Sequence, residues 1–70
     1  MKLSSAPLGQ QFTIRKVGGD AKVRKHLASL GVVPDRDITI MSQGRNGTIV
    51  LVGDSRIAFD KTIAREIVVA

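Results

Sequence analysis

Asp20-Ala21-Lys22-Val23-Arg24-Lys25-His26-Leu27-Ala28-Ser29-Leu30-Gly31-Val32-Val33-Pro34 carries a start signal and a stop signal around one apolar periodicity. Asp20 suits an N-cap, because a short carboxylate accepts backbone N–H groups that the first helical turn leaves unpaired. Val23, Leu27 and Leu30 recur at i, i+4 and i+7, which places them on one stripe of a helix. Gly31 stands where a left-handed C-cap belongs, and Pro34 forbids continuation. The spacing predicts one helix over residues 20–30.

Outward from that helix the period drops from 3.6 to 2. Upstream, Pro7-Leu8-Gly9 reads as a turn, and Phe12-Thr13-Ile14-Arg15-Lys16-Val17 alternates as a strand that Gly18-Gly19 ends. Downstream, Ile38 and Ile40 alternate with Thr39 and Met41, giving a strand with one buried face. Gly44-Arg45-Asn46-Gly47 has hairpin chemistry, since Asn-Gly tolerates positive φ angles. Residues 48–52 form the next strand. It is apolar on both faces at Ile49, Val50, Leu51 and Val52, so a central position is expected, with the outer face covered by the helix or another chain. Gly53-Asp54 makes a turn, Arg56-Ile57-Ala58-Phe59 a short strand, and Asp60 caps a helical turn over 61–64. Ile67-Val68-Val69 closes the series. The expected fold is mainly β: a small SH3-like barrel, closed or half-closed, of about five strands, with one α-helix inserted after the first strand.

At 70 residues the chain holds one domain, 1–70, and one small core. It has no cysteine, so neither a disulfide framework nor a thiolate zinc site is available. No apolar run reaches the length of a signal peptide core or of a membrane span. A soluble, cytoplasmic protein is expected, membrane-associated only through a partner. Eleven Lys plus Arg against six Asp plus Glu give a net charge of +5, which favours encounter with anionic surfaces. The two phenylalanines are the only aromatic residues, too few for a base-stacking platform.

Little in the sequence points to reaction chemistry. His26 is the single histidine, with Lys22 and Leu30 as its helical i±4 neighbours and no carboxylate to orient it, so it reads as a surface residue. The five aspartates sit in or beside turns and caps, where backbone hydrogen bonding accounts for them, and Glu66 stands alone. Asp35 and Asp37 could offer oxygen ligands only to a weak site, and no HxxxH or CxxC spacing occurs. Gly18-Gly19 before a helix lacks the Lys-Ser/Thr ending of a phosphate loop, and Asp20 would repel an anion there. No enzyme activity, cofactor or firmly held metal is expected. The remaining signal is the basic set Arg15, Lys16, Lys22, Arg24 and Lys25, joined by Leu30 and the apolar pair Val32-Val33, as a candidate partner-binding surface. The strand edges and the apolar 48–52 face also suit a homo-oligomer.

The run Leu27-Ala28-Ser29-Leu30-Gly31-Val32-Val33-Pro34 resembles the signature of the FeoA family, a helix ending in Leu-Gly, then an apolar residue and proline. Leu8-Gly9 fits that family's opening, and Gly53, Arg56-Ile57-Ala58-Phe59, Ala64, Ile67 and Val69 are similar to its closing segment. Asp35 departs from it, because a glycine usually follows the proline. The resemblance implies an SH3-like barrel acting as a cytosolic accessory of bacterial ferrous iron uptake, docking on the FeoB transporter and its GTPase domain. It places the chain among proteins of ferrous iron transport and transition metal ion binding, while the scarcity of ligand residues noted above implies that iron is not held firmly. The alternative is a basic SH3-like nucleic-acid-binding module driven by charge, although the family implies no nucleic acid partner.

Overall fold

In the computed structural model, which describes residues Met1–Ala70, the helix α1 spans Ala21–Ser29. Asp20 caps it as its residue type suggests, accepting the Val23 N–H at 2.9 Å. At the other end Gly31 takes φ 90 and donates to the Ala28 carbonyl at 3.0 Å, while Val32 donates to the Leu27 carbonyl at 2.9 Å. This pair of bonds is the Schellman arrangement, which brings the apolar residue after the glycine back against the last turn. Leu27 and Val32 are accordingly both in the core.

Five strands surround this helix in sequence: β1 Gln11–Val17, β2 Asp37–Gln43, β3 Thr48–Val52, β4 Ser55–Phe59 and β5 Ile67–Val69. They form one antiparallel sheet in the order β4-β3-β2-β1-β5. β1 divides its pairing. Gln11, Phe12 and Thr13 face Thr39, Ile38 and Asp37 of β2, whereas Ile14, Lys16 and Val17 face Val69, Val68 and Ile67 of β5, with a register shift between Ile14 and Lys16. Such a bulge bends a strand and lets it serve two neighbours. The sheet therefore curls into the half-closed form of an SH3-like fold, open between β4 and β5, where the short helix α2, Lys61–Arg65, runs from one to the other. Ile14, Ile38, Ile40, Val50, Ile67 and Val69 fill the interior, each fully buried, as period-2 alternation requires.

Three local features differ from the sequence reading or extend it. Leu3–Ser5 forms a 3-10 turn, and Leu3 and Ala6 join the core. Gln43 holds this segment down: its Nε2 donates to the Leu3 and Ala6 carbonyls at 2.9 and 3.3 Å, and its Oε1 accepts the buried Thr48 hydroxyl at 2.6 Å. Of the two covers expected for the outer face of β3, the helix does not supply one. Ile49 is 42% exposed and Leu51 half-buried, because α1 packs toward the β4 end of the domain instead. Asp35, where a glycine was anticipated, holds φ 73 in a turn closed by the Arg36 N–H to the Val33 carbonyl at 3.4 Å. A positive φ after proline is the geometry of a type II turn, so aspartate occupies the glycine conformation rather than changing the turn.

Candidate functional site

α1 presents two different sides. At about 100° per residue, Lys22, Val23, His26, Leu27 and Leu30 fall within one sector, while Arg24 lies about 200° from Lys22. The first sector faces a groove of ≈390 Å³, lined on its far side by Ala58 and Phe59 of β4, Asp60, and Ile63 of α2. Its walls are mainly apolar. Leu27 and Phe59 form part of the core beneath it, and Leu30, 38% exposed, stands at its margin.

The polar groups of the groove are unequally committed. Asp60 caps α2 by accepting the Ile63 N–H at 2.8 Å. Lys22 and His26, both exposed, have no such structural duty. The groove thus offers an apolar surface with a cationic lysine on its helical rim, in the size range of small-ligand or peptide-anchor sites.

The basic set proposed from sequence is shared between β1 and α1. Arg15 and Lys16 are exposed on β1, and Lys22, Arg24 and Lys25 are exposed on α1. Only Lys22 lines the groove. Arg24 turns back to donate from Nη1 to the Gly19 carbonyl, tying it to the start of its own helix. Val32 is corrected as a contact residue, because at 1% exposure it is sealed against Leu27 by the Schellman turn. Val33 is half-buried. The sequence reading missed Ala58, Phe59 and Ile63 as the opposite wall, since their nearness to α1 arises only from the fold.

A second cleft, of ≈370 Å³, lies at the Asp35 turn and contains Asp35, Arg36, Asp37, Gln11 and Thr39. Asp37 Oδ1 accepts the Thr13 hydroxyl at 3.4 Å, and Arg36 lies between the two acids in sequence. No three His, Asp or Glu side chains converge anywhere in the chain in a way that would hold a metal ion. Phe12 is half-buried and Phe59 only 6% exposed, so neither offers a free face for stacking a base. No helix is long and apolar enough to cross a membrane.

A protein-family model for the FeoA domain matches residues 1–70. Among solved structures, an iron uptake regulatory protein (FeoA) is 27% identical with TM-score 0.90, the alignment covering 99% of this chain and 93% of that one. Stenotrophomonas maltophilia FeoA, a prokaryotic SH3-domain protein complexed with zinc, is 24% identical with TM-score 0.82 over 100% of this chain and 89% of that one. IdeR of T. acidophilum is 28% identical with TM-score 0.85, and there the alignment covers 99% of this chain but 32% of the longer protein. No curated protein sequence matches.

Proposed function

The chain belongs to the FeoA family of accessory domains in ferrous iron transport, and from that premise we propose that it docks on the cytosolic part of the FeoB transporter through the groove face of α1. The observation that carries the reading is the groove itself: an apolar concavity beside an exposed leucine and a lysine with no hydrogen-bonding duty, on a domain in which several other polar side chains serve its own backbone. Asp20 and Asp60 cap helices, Gln43 pins the amino-terminal turn, and Arg24 closes on Gly19. What remains for a partner is shape and surface. Apolar anchors in a pocket with a charged rim are how protein interfaces concentrate their affinity. The domain would then assist or regulate transport by binding, in the cytoplasm, with no reaction of its own.

Recovery of FeoB from solubilised membranes by the immobilised domain tests this. Leu30→Asp leaves the core residue Leu27 untouched and places a charge at the groove margin, and is expected to reduce recovery about tenfold or more, the scale of an interface hot spot. Charge reversal at Lys22 and Lys25 is expected to act in the same direction and to do so most strongly at low salt. Equal recovery by wild type and both variants refutes the docking face.

A further inference from the structure

The two edges of the sheet are treated differently. β5 is covered by the chain's own amino end: Lys2 bridges Val68, the Val69 N–H donates to the Met1 carbonyl at 2.7 Å, and the Met1 amino group donates to the Val69 carbonyl at 2.8 Å. β4 is the other edge, and it has a partner on one side only. Val52 pairs with Ser55 across the Gly53-Asp54 turn, and the register continues through Val50 with Ile57 and Thr48 with Phe59. In that alternation Ser55, Ile57 and Phe59 direct their backbone groups toward β3, while Arg56 and Ala58 direct theirs outward. Both outward residues are exposed.

An open edge is ordinarily blunted, because it invites another strand. Here it borders concave surface on both sides. Ala58 lines the groove with Lys22 and also a second hollow of ≈310 Å³ with Arg45 and Ile49. A strand laid on β4 would therefore pass between cationic side chains, with Arg56 beside it; Asp60, the acid in the groove, is already engaged in capping, and Asp54 lies in the turn before the strand. A second copy of this chain is disfavoured as that strand, because each copy carries +5 and would bring its own Arg56 to the edge.

We propose that β4 accepts an extended segment of the partner as a sixth strand, with acidic residues on the side of Arg45 and Arg56 and the alternate, apolar residues entering the groove. This rests on the docking reading above and names the chemistry of what is docked. Backbone pairing through Arg56 and Ala58 supplies the attachment, and alternate side chains supply selectivity, the logic of strand addition.

The probe is the blocked peptide Glu-Val-Glu-Val-Glu-Val-Glu added to the isotope-labelled domain. Slowed solvent exchange is expected at the Arg56 and Ala58 amides, with affinity falling as salt rises, and no binding by the Lys-Val counterpart. Ala58→Pro removes an outward N–H while leaving the inward ladder intact, which an edge strand tolerates. It is expected to weaken binding at least tenfold with a cooperative melt retained, whereas Ala58→Ser, which keeps the N–H, binds within about twofold. Arg56→Glu supplies an independent variant, expected to weaken the peptide several-fold. Protection at other amides, equal binding by Ala58→Pro, no binding at low salt, or Arg56 and Ala58 protected without peptide in a sedimenting dimer each overturns the proposal. If Ala58→Pro still recovers FeoB while Leu30→Asp does not, strand addition fails and the docking face stands.

Discussion

Replacing Gly47 with alanine probes how the β2–β3 turn is locked to the end of β4. Gly47 has φ 155, and a Cβ there would run into the Phe59 carbonyl oxygen, with the Phe59 carbonyl carbon at 3.1 Å and the Asp60 Cα at 3.3 Å. All three neighbours are backbone atoms. They cannot rotate away as a side chain could, so relief requires β4 to move from Gly47 or the turn to open. Forcing an extra carbon into a filled site costs about 1–3 kcal/mol, and a glycine-only backbone angle adds about 1 kcal/mol or more. The sum, about 2–4 kcal/mol, rivals the ~3–5 kcal/mol that a core of this size supplies. Each kcal/mol lowers Tm by about 4–8 °C in so small a domain. Gly9 is the matched control: its φ is 76, yet nothing lies within 4 Å of its would-be Cβ. Gly9→Ala should lose only the backbone part, about 1 kcal/mol. Thermal melts by circular dichroism compare the two. If Gly47→Ala melts within about 3 °C of Gly9→Ala, the locking of β4 by this turn is wrong.

Two further changes separate other supports. Gln43→Ala leaves the Leu3 and Ala6 carbonyls and the Thr48 hydroxyl without their partner, and is expected to cost about 1–3 kcal/mol in urea unfolding. Amide exchange at Val69, which donates to Met1, should quicken more than at Val50 in the sheet interior. Asp35→Gly relieves a left-handed residue at φ 73, a strain of about 1–2 kcal/mol offset by glycine's greater freedom when unfolded, about 0.5–1 kcal/mol. A Tm unchanged or raised by a few degrees is expected, and a fall would mean that the aspartate side chain supports the turn.

Sequence and structure agree best where the determinants are local. Asp20, Gly31 and Asp60 act on atoms within four residues of themselves, so the cap chemistry could be read directly. β2 was legible from alternation at Ile38 and Ile40, whereas β3 was legible as an apolar run between turns, whose buried face, Val50 and Val52, its sequence did not single out. The amino-terminal turn was not, because nothing periodic marks Leu3: its burial depends on Gln43, 40 residues away, and on Val69. The basic set was expected on one side of the domain, brought there by strand and helix, but helical phase sends Lys22 and Arg24 to different sides of α1. Val32 and Val33 looked equivalent as neighbours, and the hydrogen bond that reverses the chain after Gly31 buries the first and leaves the second half-open. The opposite wall of the groove was hidden for a further reason. Ala58 and Ile63 carry no chemical signal of their own, and become site residues only when β4 and α2 are set beside α1.

The central claim is that this face, and not another, meets the transporter. Amide and methyl spectra of the labelled domain titrated with the cytosolic GTPase portion of FeoB measure that directly. The account requires the largest changes at Lys22, His26, Leu30, Ala58 and Ile63. Saturable binding that perturbs only Asp35, Arg36 and Asp37 on the other cleft, while leaving those five unchanged, would contradict it.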